Sequence, residues 1–131
     1  MGFAMSELKP QFTILIDEPR REVHFAASGF WSPENMMRFQ SSLLEKSKPL
    51  YENRVPFRVL GDLSGLAVQD RLMADSMRFM LHESEKLGME RLAMVITAPL
   101  VKMQYQRLAE GANTDIFSNK GDAIAWLRSL D

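Results

Sequence analysis

The segment Phe57-Arg58-Val59-Leu60-Gly61-Asp62-Leu63-Ser64-Gly65-Leu66 restricts the fold of this chain more than any other. It opens as a nearly unbroken apolar run and closes on polar and glycine residues. That predicts a strand covered on both faces, ending in a polar turn. Strands of this kind occupy the middle of α/β sheets, and ligands collect beyond their carboxyl ends. Residues 62–70 are therefore the expected address of a functional site.

The flanking patterns supply the rest of the architecture. Residues 12–16 and 22–28 are β-rich runs separated by the turn Asp17-Glu18-Pro19-Arg20-Arg21, which predicts an antiparallel hairpin. Val23, Phe25 and Ala27 share one face of it. His24 falls on the other and reads as a surface or helix-covered histidine with a local partner. Ser32-Pro33-Glu34 carries the marks of a helix start, with a capping serine, a proline at the first helical position and an acid in the first turn. Met36, Phe39, Leu43 and Leu44 give that helix its apolar stripe, and Pro49 is expected to end or kink it. Trp31, just ahead of the cap, reads as a residue closing the core, with a ligand-facing role as the alternative.

A longer helix follows over residues 69–87, with Asp70 in its first turn. Met73, Met77, Met80, Ser84 and Leu87 lie along one face, and Gly88 stands where a left-handed cap belongs. Residues 92–96 form a second apolar strand. Pro99 opens a third helix that Gly111 closes, and residues 114–117 make a short last strand. Asn119-Lys120-Gly121-Asp122 resembles a capping box ahead of a final helix bearing Ala123, Ile124, Trp126, Leu127 and Leu130. The order β-β-α-β-α-β-α-β-α predicts an α/β fold in a single domain. Its five-stranded mixed sheet should be mostly parallel, with right-handed crossovers and an antiparallel N-terminal edge strand. The domain is expected over residues 11–131, after a tail of residues 1–10.

Bulk properties narrow the function. The chain has 131 residues, 46% hydrophobic and 25% charged, which fits one globular domain, and its net charge of −1 gives no electrostatic reason to bind nucleic acid or an anionic membrane. The absence of cysteine excludes a disulfide framework, a thiolate zinc site and a cysteine nucleophile, and fits a reducing, cytoplasmic setting. No apolar stretch approaches the roughly 18 residues of a membrane span. Met1-Gly2-Phe3-Ala4-Met5-Ser6 matches the loose N-myristoylation pattern, but a chance match or added residues before a native Met5 is the preferred account, since no second membrane signal accompanies it.

Catalytic chemistry finds little support. Asp62, Asp70, Asp75 and His82 are the only titratable cluster near the predicted strand end. Helical rise places His82 about 18 Å from Asp70, too far to share a site. The two histidines, His24 and His82, lack metal-ligand spacing, so no metal site is expected. Residues 61–65 have neither the phosphate-loop nor the dinucleotide glycine spacing, and Ser64 is followed at once by Gly65, which breaks the nucleophile-elbow pattern. Tyr105 and Arg107 read as surface or flank residues of the third helix. No cofactor is implied. The compositional oddity is methionine, ten in all, with six between Met73 and Met103. Met73, Met77, Met80 and Met94, with Trp31, are either ordinary core or the lining of an apolar pocket.

The central Arg58-Val59-Leu60-Gly61-Asp62-Leu63-Ser64-Gly65, the later Arg91-Leu92-Ala93-Met94-Val95 and the closing Phe117 with Asp122-Ala123-Ile124-Ala125-Trp126-Leu127 resemble the SpoIIAA-like family, of the STAS group of folds. The likeness spans about residues 12–130, and Ala-x-Ala-Trp-Leu is its most specific piece. The group includes the anti-sigma factor antagonists, which carry Asp-Ser-Ser-Gly-Leu at the start of the second helix of the parallel unit. A kinase phosphorylates a serine there and so breaks a partner contact. Two registers follow from the resemblance. In one, Asp62-Leu63-Ser64-Gly65-Leu66 stands for the motif and Ser64 is a candidate phosphosite. In the other, which keeps the strand-to-helix length and is preferred, the motif falls at Asp70-Arg71-Leu72, and the serines of the switch are absent.

The resemblance implies a non-enzymatic regulatory or interaction module. Its expected binding surface for a protein partner comprises Asp62, Ser64, Gly65, Asp70 and Arg71. The family is also likened to lipid carriers, so an apolar or lipid-like ligand beneath the methionine-rich helices is the alternative. Edge strands and apolar helix faces that need cover make a homodimer a further expectation.

Overall fold

Alternation along the strands sorts their side chains between two layers of helix. The structure, a computed structural model, describes residues 9–129. Strands β1 (Gln11–Asp17), β2 (Glu22–Gly29), β3 (Phe57–Leu66), β4 (Met89–Val95) and β5 (Thr114–Phe117) form one sheet in the order β1-β2-β3-β4-β5. β1 pairs antiparallel with β2, and all other pairings are parallel. The predicted α/β architecture is thus present, with the antiparallel strand at the edge and β3 in the centre.

Helices α1 (Pro33–Tyr51), α2 (Arg71–Lys86), α3 (Pro99–Leu108) and α4 (Lys120–Leu127) complete the element order. Right-handed crossovers between consecutive neighbouring strands put their helices on the same face. Accordingly α1, α2 and α3 share one core with Val23, Ala27, Val59, Leu63, Leu92 and Met94. α4 covers part of the opposite face, where Ala123 and Leu127 close over Leu60, Ala93 and Val95. Arg91 lies over the Trp126 ring at 5.2 Å and donates to the Trp126 carbonyl, so the Trp-Leu ending anchors α4 to β4.

Helix boundaries follow local chemistry. Ser32 caps α1 through a reciprocal pair with Asn35, and Asn119 caps α4 by accepting from the Asp122 amide at 2.8 Å. Gly88 closes α2 at φ 113°, a conformation that costs glycine little, and its carbonyl accepts from the amide of Phe57.

Three expectations need correction. Pro49 does not end α1, which continues to Tyr51. So close to the C-terminus the proline removes a single bond, to the carbonyl of Glu45, an exposed residue. The run 57–66 does not end in a turn: β3 spans all of it, because Asp62, Gly65 and Leu66 pair with Ala26, Ser28 and Gly29 across a bulge in the β2 register. The buried stripe of α2 is Met73, Met77 and Leu81, whereas Met80 and Ser84 are half-buried and Leu87 is exposed. The apolar face that the spacing assigned to the core is therefore rotated toward α1. The motif at residues 1–6 and the expected contribution of Leu130 lie outside the described residues.

Candidate functional site

Two places on the molecule concentrate unusual chemistry. The first is the carboxyl edge of the sheet. Asp62 and Ser64 lie on β3, and the Asp62 carboxylate accepts from the Ser64 hydroxyl at 2.6 Å and from its amide at 3.1 Å. Ser64 and Gly65 are exposed. Asp70 is the N-cap of α2, accepting from the Met73 amide at 2.9 Å, and Arg71 is the first helical residue. The five residues expected to form a binding surface thus divide into a strand group (Asp62, Ser64, Gly65) and a helix-cap group (Asp70, Arg71).

Between the two groups stands Gln69, which the sequence reading passed over. Its side chain is buried. It accepts from the Trp31 amide at 2.9 Å and donates to the carbonyls of Gly29 and Ala67 at 3.0 and 2.7 Å. Its backbone exchanges two bonds with the Gln104 side chain of α3. One glutamine therefore ties the exits of β2 and β3 to α3. A lone glutamine between a strand and a helix gives no sequence signal of that role.

The second place is a cavity of about 370 Å³ bordered by α1, α2, α3 and the inner face of the sheet, and open between α1 and α2. Its floor includes Val23, Phe25, Ala27, Val59, Leu63 and Met94, and its sides include Phe39 and Leu43 of α1 with Met77 and Met80 of α2. Exposed Leu44, Phe79 and Leu87, with the ion-paired Glu83 and Lys86, mark its mouth between the helices. Trp31 closes the core, as expected, and also borders the cavity. It is buried, its indole N–H donates to the Ser28 carbonyl at 2.7 Å, and its ring lines the cavity edge-on to Phe39. Met77, Met80 and Met94 also line the cavity. Met73 is buried apart from it, because it sits in the first turn of α2, directly beneath the cap.

Tyr105, expected at the surface or flank of α3, is a correction. It is buried on α3 with Val101 and Leu108, at i, i+4 and i+7, a spacing that marks an inward face. It lines the cavity, and its hydroxyl donates to the Met77 thioether at 2.7 Å. Burial pushes its phenol well above the usual range, so it stays a neutral donor.

The histidines stand apart from both places. His24 bonds Glu22 at 2.9 Å, the local partner expected for it, and His82 lies 3.5 Å from Glu85 on the outer part of α2. Among the described residues no three His, Asp or Glu side chains gather as metal ligands. No helix among them is long and apolar enough to cross a membrane.

No protein-family model matches the chain, and no curated protein matches it in sequence. Solved structures do. An uncharacterised protein with a SpoIIAA-like fold from Shewanella loihica superposes with a TM-score of 0.70 at 19% identity, covering 95% of this chain and 99% of that one. This is the SpoIIAA-like fold. The anti-sigma factor antagonist SpoIIAA, in its unphosphorylated form, matches with a TM-score of 0.66 at 14% identity, over 92% of this chain and 99% of that one. An anti-sigma factor antagonist from Mycobacterium paratuberculosis gives 0.61 at 12% identity, over 91% and 96%. The STAS-like resemblance read from the central strand and the Ala-x-Ala-Trp-Leu ending therefore holds for the fold. Within this SpoIIAA-like domain the N-cap of α2 is Asp70, and Ser64 lies earlier, inside β3.

Proposed function

We propose that this SpoIIAA-like domain is a non-enzymatic binding module that holds a small apolar molecule between α1, α2 and the sheet. The cavity carries this reading. It opens between α1 and α2 and its walls are mostly apolar, so the side chains lining it forgo packing contacts on the open side. A guest with apolar atoms restores those contacts, and water finds few polar partners along such walls. Scaling from a cavity of about 150 Å³ that holds benzene, the guest has about fifteen non-hydrogen atoms.

Native mass spectrometry of protein taken gently from cells tests this. The expected result is a bound mass that organic extraction releases. A clean ligand-free mass, together with failure to bind a fluorescent hydrocarbon probe, would exclude the reading.

A second reading, engagement of a protein partner at the carboxyl edge, is favoured by a separate observation. Val68 and Leu72 are exposed on either side of the Gln69–Gln104 clasp, and Leu100 and Met103 are exposed on α3 beside it. These apolar residues adjoin Asp70 and Arg71, as a partner surface requires. In this reading the serine switch of the anti-sigma antagonists is absent, because Arg71 and Leu72 occupy the first turn of α2. Phosphopeptide mapping of the protein from cells should find Ser64 unmodified. Stoichiometric phosphate on Ser64 would restore the switch.

A further inference from the structure

The cavity is mostly apolar; besides Gln40 on α1, which is half-buried, its polar groups are few. At the mouth, Glu83 and Lys86 pair with each other at 2.8 Å. At the inner wall stands the hydroxyl of Tyr105. Ser47 and Ser84 also face the cavity, but each hydroxyl is taken by the carbonyl one turn back in its own helix, Leu43 and Met80 respectively. The Tyr105 hydroxyl has no comparable acceptor. It donates to a thioether, among the weakest acceptors a protein offers, and its own lone pairs remain to be used.

From this juxtaposition we propose that Tyr105 reads a single neutral oxygen at the inner end of the ligand, so that the ligand is a hydrocarbon bearing a carbonyl or ester group and not a fatty-acid anion. The inference rests on the apolar-ligand reading above. A carbonyl oxygen is a stronger acceptor than sulfur, and moving the hydroxyl from Met77 onto it leaves no buried polar group unsatisfied, since the thioether needs no partner. A carboxylate cannot take that place. The charged residues lining the cavity are Glu83 and Lys86, both at the mouth, and an unpaired carboxylate at the inner wall carries a large desolvation cost. Because burial keeps the phenol protonated, the donor is present across the physiological range.

Three probes of similar length separate the possibilities: methyl decyl ketone, dodecane and dodecanoate, each measured by displacement of a fluorescent naphthylamine. The expected order is ketone tightest. In Tyr105→Phe the ketone weakens about fivefold while dodecane is unchanged, as loss of one hydrogen bond requires. Infrared spectra of the ketone bound to the unaltered protein give a second reading that does not depend on the variant folding. Its carbonyl stretch should fall below the value in hydrocarbon solvent. If ketone and dodecane bind equally and the stretch is unshifted, the role of Tyr105 is overturned and the cavity reading stands. If dodecanoate binds tightest, the neutral-ligand assignment is overturned. If none of the three binds, both readings fall together.

Discussion

Glu22 and Arg128, 106 residues apart, are joined by two hydrogen bonds of 2.9 Å. The carboxylate is buried at the start of β2, and the guanidinium extends from the C-cap of α4. His24 bonds the same carboxylate, so one acid holds the last helix against the part of the sheet that α4 does not cover. The Arg128 hydrogen bonds, opposed by desolvation and helped by His24, hold the Glu22 carboxyl below its ordinary value of 4.5.

The sign of the resulting pH dependence follows. A depressed folded-state pKa contributes stability that is present above the unfolded value and is lost as pH falls through the folded one. Arg128→Ala should therefore flatten the acid limb of the stability curve below about pH 5, and should cost about 1 kcal/mol at neutral pH because the arginine is partly exposed. Urea denaturation at a series of pH values checks this. An unchanged acid limb would show that Glu22 titrates independently of Arg128.

Gly61 is the close-approach point of the sheet. A Cβ built there would stand 2.5 Å from Cζ of Phe25, whose ring packs edge-on to Phe39 at 5.3 Å. Gly61→Ala must push the Phe25 ring away from β3 and into the cavity that it borders. The expected cost is about 1–3 kcal/mol, with weaker binding of dodecane as the cavity shrinks. Denaturation and probe displacement on the same preparation read both effects.

Gln69→Leu keeps most of the volume but removes the acceptor for the buried Trp31 amide and the donor to Gly29 and Ala67. An unsatisfied buried amide alone costs about 1–3 kcal/mol, so destabilisation of about 2–4 kcal/mol is expected for the whole change. Hydrogen exchange should show the loss concentrated at the exits of β2 and β3. Uniform acceleration across the sheet would mean that the clasp is not a local device.

Met77→Leu preserves apolar bulk and deletes the sulfur that accepts from Tyr105. Without ligand the variant should lose about 1 kcal/mol, because the hydroxyl loses its partner. Its affinity for methyl decyl ketone should rise, because the hydroxyl no longer has to leave an acceptor. Opposite signs for the two effects, read by urea denaturation and probe displacement, are the diagnostic result.

Local pattern was enough for much of the fold. The apolar runs of β3 and β4, the Ser32-Pro33 start of α1, the Asn119-to-Asp122 cap and the left-handed Gly88 each depend on residues within a few positions of one another, and each stands where the sequence places it. Periodicity also held the signal for Tyr105, through Val101 and Leu108. The Glu22–Arg128 pair, the clasp from Gln69 to Trp31 and Gln104, and the approach of Phe25 to Gly61 join residues that periodicity treats as unrelated. The cavity likewise arises from the rotation of α2, which turns Met80 and Ser84 toward α1 and leaves Met73, Met77 and Leu81 in the core. Helix spacing specifies that a face is apolar. How two such faces meet, and what space they leave, is decided only when the chain closes on the sheet.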